Sequence, residues 1–135
     1  MEKVFKKEIT FLSKMPVMEA TKENKVGDTI EVEVTKEAVF NEISRTNRSQ
    51  HKLHSTLLSM EGVIYKDGNG KFRIDGAELM TLAALAIDTL LIIDGKGFTE
   101  GDKTEVLNDS FALIKTGIWL FEHKLAPFFS TFKMN

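Results

Sequence analysis

The sequence predicts an α+β fold: a mainly helical single domain with an N-terminal β-hairpin packed on a helical core. Three observations carry that prediction. The stretch from Ala77 to Ile93, AELMTLAALAIDTLLII, is interrupted only by Glu78, Thr81, Asp88 and Thr89. At about 100° per residue those four fall on one narrow stripe, so the segment is a helix apolar over most of its circumference and must be covered on several sides. Thr29 to Val34, TIEVEV, alternates apolar and polar residues as a half-buried strand does. Further helical patterns lie on either side of the central one, from Arg48 to Met60 and from Thr104 to about Ala126.

The chain has 135 residues, enough for one domain with a hydrophobic core of its own. The expected division is a hairpin over about 3–34, a helical core over about 35–126 and an apolar tail over 127–135. There are no cysteines, which excludes a disulfide framework and thiolate metal sites. The start, MEKVFKKEITFLSKM, has no continuous apolar run of the secretory kind, and the central run is shorter than the roughly 20 apolar residues of a bilayer span. A cytoplasmic protein without membrane contact is expected. A net charge of -2, with both signs interspersed, gives no global field for nucleic acid.

In chain order, Val4 to Leu12 reads as a loosely alternating strand, and Pro16 ends its pairing. Gly27-Asp28 is a turn before the second strand. Thr35 stands where an N-cap belongs, with Glu37 in the following turn, so a helix is expected from Lys36 to about Arg45 with Val39, Phe40 and Ile43 inward. In the helix from Arg48 to Met60, Leu53, Leu57, Leu58 and Met60 are the expected buried positions. Asp67-Gly68-Asn69-Gly70 makes the segment from Val63 to Ile74 a short hairpin or a plain loop. Asp75 is placed to cap the central helix, which should end near Asp94-Gly95. The last helical stretch carries a break near Asn108-Asp109-Ser110, and Pro127 should stop it.

No constellation of residues carries chemistry, and no catalytic, metal or cofactor-binding residue is assigned. His51 and His54 lie three apart on a helix without a carboxylate at ligand spacing, so a solvated face is expected; His123 belongs to a wet stripe. Asp88 is expected on the solvated edge of its helix rather than as a proton carrier. The glycine clusters DGNG and IDGKG lack the spacing of phosphate loops. An enzyme is not expected.

The stretch SRTNRSQHKLHSTLLSMEGVIYKDGNGKFRI looks like the recognition helix and wing of a winged helix-turn-helix, with Arg45, Arg48, His51 and Lys52 facing phosphates. A strand, however, stands where such a domain has its preceding helix. A DNA-binding regulator is therefore the second reading. From about Thr29 onward the order TIEVEVTKEAVFNEI, LHSTLLSM, KFRIDGAELMTLAALAIDTLL and DSFALIKTGIWLFEHKL resembles the tail assembly chaperones of long-tailed, lambda-like bacteriophages. That resemblance implies a non-enzymatic protein of the host cytoplasm that coats the tape-measure protein, recruits tail-tube subunits and is absent from the finished virion.

The residues themselves add an apolar surplus near the C-terminus: Trp119, Phe121, Phe128, Phe129, Phe132 and Met134. Either another chain covers it, a second copy or a client segment, or the tail folds back onto the core. Burying one such ring is worth roughly 1.5–3 kcal/mol, which argues against leaving several bare. Trp119, Phe121, Phe128, Phe129 and Phe132 are accordingly expected to form a protein-binding surface.

Overall fold

A computed structural model describes residues 3–133, with side chains described through residue 132, so Met134 lies outside the described residues. The domain is α+β, with the hairpin at its N-terminal end and helices forming most of the core. Strands β1 (Val4–Pro16) and β2 (Thr29–Asn41) pair antiparallel from Val4↔Asn41 to Pro16↔Thr29. Their inner faces send Ile9, Phe11, Ala38 and Phe40 into the core. Pairing stops at Pro16, which has no N–H to extend a ladder. The tip turns back through Gly27, whose φ of 92° suits a residue without a side chain.

The helix expected from Lys36 to Arg45 does not form; β2 runs through to Asn41. Val34, Lys36, Ala38 and Phe40 continue the two-residue period, and pairing with the first half of β1 outweighs the local helical preference of Lys36, Glu37 and Ala38. The hairpin is therefore longer than the expected 3–34, and β1 extends past Leu12.

A short 3-10 turn (Arg48–Gln50) leads into α1 (His51–Ser59). Buried Gln50 fixes that approach: its amide donates to the Glu42 carbonyl at 2.9 Å and accepts from the Ser44 N–H at 2.8 Å. Leu53 and Leu57 are buried, whereas Leu58 is exposed and Met60 half-buried, because the core lies on one side of this helix only. The glycine-rich segment is a hairpin, β3 (Ile64–Lys66) and β4 (Phe72–Ile74).

Helix α2 (Gly76–Leu90) is the central helix, with Leu79, Leu82, Ala83, Ala86, Ile87 and Leu90 buried. It follows Asp75, although that side chain makes no capping hydrogen bond. It ends at Leu90, three residues before Ile93, because Leu91 turns extended and bridges Phe40 while the Ile92 N–H donates to the Val39 carbonyl at 2.8 Å. Gly95 is left-handed, at φ 77°, in the turn that follows rather than at the helix end.

Helix α3 (Glu100–Asn108) starts earlier than the expected Thr104, on a capping box between Thr99 and Asp102. The chain breaks at Asp109, which caps α4 (Ser110–Leu120). Pro127 does not stop the helix. A π turn (Phe121–Leu125) leads directly into α5 (Ala126–Lys133), with the Ala126 N–H reaching the Phe121 carbonyl. Pro127 lacks the N–H that an α-helix would direct at His123, and the widened turn takes up that irregularity.

Helix α4 lies across α2 at Gly117, where an added Cβ would stand 2.6 Å from the Ala83 Cβ. Alanine is ordinarily better than glycine inside a helix by about 1 kcal/mol, but overpacking at this crossing costs about 1–3 kcal/mol. Gly117→Ala is therefore expected to lower stability in urea unfolding. Ala83→Gly in the same chain should restore the room and recover part of the loss.

Candidate protein-binding surface

The structure does not gather the five expected contact residues into one exposed surface. Phe121 and Phe129 are core residues, 3% and 1% exposed, so they cannot serve as a surface. Trp119 is half-buried between Phe5, at 5.8 Å between rings, and His123, at 4.9 Å. Phe128 packs on His54 at 4.9 Å and on Phe132 at 5.0 Å. Phe129 meets the edge of Phe72 at 5.5 Å. The continuous helix past Pro127 thus folds the tail back onto α1 and β4, and the chain itself covers much of the apolar surplus.

The uncovered apolar side chains lie elsewhere. On α4, Phe111 is 79% exposed and Ile118, seven residues on and hence on the same face, 43%. At the hairpin tip Met18 and Val26 are 80% and 65% exposed, with Leu12 and Met15 nearby. Phe111 stands second in its helix, just after the Asp109 break, where the apolar count alone does not reveal that the chain turns its first residues away from α2. Met18 and Val26 sit in a polar loop and carried no periodic signal.

The hairpin has unequal edges. Along β1 the Leu12 N–H donates to the Asp109 carboxylate at 2.8 Å and the Lys14 N–H to Glu105 at 2.6 Å, while the Ser13 hydroxyl donates to Glu105 at 3.0 Å. Side-chain oxygens of α3 and the α3–α4 junction thereby stand where a third strand's carbonyls would. Below them Asp102 accepts from the Lys36 ammonium at 2.9 Å and from the Thr99 N–H at 3.0 Å. Burial pushes the Asp102 carboxyl up, but Lys36 and Thr99 outweigh it and hold the group below its ordinary value. On β2, Val39 and Phe40 are met by Leu91 and Ile92. From Thr29 to Glu37, among the described residues, no backbone or side-chain hydrogen bond reaches its outer edge.

Asp88 is exposed and pairs with Lys103 at 2.6 Å. His51 and His123 are exposed, but His54 is buried against Phe128, contrary to the solvated face expected for both α1 histidines, because α5 returns over it. Burial, and next the neighbouring His51, hold the His54 imidazole below its ordinary value. Asp67 organises the β3–β4 turn, accepting from the N–H groups of Asn69 and Lys71 and from Arg73. Arg73 also reaches Glu122 at 3.4 Å across a cleft of about 360 Å³ that includes His123 and Pro127. Arg45, Arg48, His51 and Lys52 are all exposed around the start of α1. Among the described residues no three His, Asp or Glu side chains gather as a metal-ligand set, and no helix is long and apolar enough to cross a membrane.

Comparisons with protein-family models, with curated protein sequences and with solved structures return no match.

Two outcomes follow from the placement of the rings. Phe129→Ala should destabilise the fold by about 3–5 kcal/mol, the range for emptying a buried aromatic site, whereas Phe111→Ala should change it by less than about 0.5 kcal/mol; urea unfolding of both variants checks the contrast. The lowered folded-state value of His54 means that its contribution is present above the ordinary histidine range near pH 6.5 and is lost as pH falls through the folded value. Stability should therefore drop between pH 7 and pH 5. In His54→Gln, which leaves His51 without that neighbour, the drop should be smaller, as unfolding midpoints measured across the range will show.

Proposed function

We propose that the protein is a non-enzymatic assembly chaperone of a long-tailed bacteriophage, which in the host cytoplasm binds the tape-measure protein and brings tail-tube subunits to it. The sequence order of LHSTLLSM, KFRIDGAELMTLAALAIDTLL and DSFALIKTGIWLFEHKL supports this reading. The unit TIEVEVTKEAVFNEI, a strand from Thr29 to Asn41 rather than a strand and a helix, lends it nothing. The observation that carries a binding role is the pair Phe111 and Ile118, which one face of α4 presents to solvent. Burying both against the apolar stripe of a client segment would contribute roughly 1.5–3 kcal/mol each, enough to matter in an interface of ordinary affinity.

The regulator reading draws on Arg45, Arg48, His51 and Lys52 and on the β3–β4 hairpin after α1. It has less support, since β2 occupies the place of the helix that would precede the recognition helix.

Co-expression with the tape-measure protein encoded in the same genome tests the proposal. The client should stay soluble and co-elute with this chain, and the double variant Phe111→Glu, Ile118→Glu should weaken that association by more than about tenfold while retaining the helical circular dichroism of the parent. A client whose solubility is the same with and without the chain, and which never co-elutes with it, would overturn the reading.

A further inference from the structure

We infer that the open edge of β2 accepts an added strand from a partner segment in which basic and apolar residues alternate. The inference stands apart from the tail-assembly reading and from the α4 face. Its basis is the direction in which the backbone of β2 points. Because the Val39 carbonyl receives the Ile92 N–H, and because antiparallel pairing alternates, Glu31, Glu33, Thr35 and Glu37 also turn their N–H and C=O groups away from β1. The same alternation is visible on β1, where Leu12 and Lys14, opposite Glu33 and Glu31, turn their N–H groups outward to carboxylates. One edge of the hairpin is thus capped at Leu12 and Lys14 by Asp109 and Glu105, and the far end of the other is met by Leu91–Ile92. What remains, Thr29 to Glu37, exceeds the five or six residues of a common strand.

The side chains state what such a strand must look like. On the inner face Ile30, Val32 and Val34 are only half-buried, and Met15 beside Ile30 is exposed. Apolar side chains of a third strand would extend that row and cover it. On the outer face Glu31, Glu33 and Glu37 are exposed, and a neighbouring strand would lie against them; Glu37 also pairs with Lys6 of β1 at 3.6 Å, and Lys14 stands opposite Glu31. Cationic side chains in the outward register therefore complete the pairing. A second copy is disfavoured as the occupant, since β2 paired antiparallel to itself would set glutamate against glutamate. Open edges are usually guarded by charge; this one is guarded in a way that rejects acidic and like-charged strands and admits basic ones.

The test titrates the full chain with a capped nine-residue peptide alternating lysine and valine. A valine–glutamate peptide, and a lysine–valine peptide N-methylated on alternate amides, serve as comparisons. By NMR the amides of Glu31, Glu33, Thr35 and Glu37 should shift, and their hydrogen exchange should slow at least tenfold, with the first peptide only. Glu31→Lys with Glu33→Lys should weaken that peptide at least tenfold and let the glutamate peptide bind instead; both residues are exposed on the outer face, so the hairpin is retained, as circular dichroism will confirm. The inference fails if the lysine peptide does not bind, if shifts fall outside β2, or if N-methylation makes no difference, which would mean simple charge attraction. It also fails if sedimentation shows the parent chain dimerising with those four amides already protected.

Discussion

The continuation of β2 as a strand through Asn41 is the constraint on which the rest of the structure depends. It carries Phe40 to full burial, where the ring stacks on Phe5 at 5.1 Å and Phe5 in turn meets Trp119. It also brings a strand edge to the end of the central helix, and the backbone of Leu91 and Ile92 takes that edge in place of another helical turn. Two elements that would otherwise meet only through side chains are thereby joined by main-chain hydrogen bonds. The orientation of the sheet on the helices follows from that junction.

The opposite side of the hairpin is held by different chemistry. Helix α3 is largely polar, and it and the junction after it dock through carboxylates: Asp102 on Lys36 and Glu105 on Ser13 and Lys14 from α3, and Asp109 on Leu12 from the junction. Several of these groups serve twice. Asp102 closes the capping box of α3, and Asp109 caps α4 with one oxygen while the other receives the β1 amide. Hydrogen bonds to charged acceptors contribute about 1.5–3 kcal/mol where water is kept away and less where, as at Leu12 and Lys14, the donors are near solvent. Sharing one carboxylate between a helix end and a strand edge ties the helix break at Asp109 to the register of β1.

What the sequence made legible was the structure encoded locally. The apolar run of α2, the alternation in TIEVEV, the leucines of α1 and the break at Asn108-Asp109-Ser110 each depend on near neighbours alone. The strand beyond Val34 depends on residues 4–10 and on Leu91, which no window around Lys36 contains. Thr99 and Asp102 do spell a capping box three residues apart, and that local sign would have placed the start of α3 correctly. Burial of His54 and Phe129 follows from the path of the chain after Pro127, and a proline taken as a stop hides that path. The surface residues were the least legible. Whether a phenylalanine lies inside or outside is decided by which face of its helix meets α2, and Phe111 and Phe121 look alike until that is known.

The π turn has a further consequence, which concerns phase. Phe121, Leu125 and Phe129 are all buried, at steps of four residues. In a regular α-helix four residues overshoot a full turn by about 40°, so two such steps would swing the third side chain well off the line of the first. A wider turn advances fewer degrees per residue and brings the steps nearly into line. The irregularity therefore acts as a rotation set between two straight rods: α4 is indexed to α2, α5 to α1 and β4, and the five residues from Phe121 to Leu125 reconcile the two settings. Losing a single residue there would turn α5 by roughly 100° about its axis, carrying Phe129 out of the core and offering the slot beside Phe72 to a different side chain.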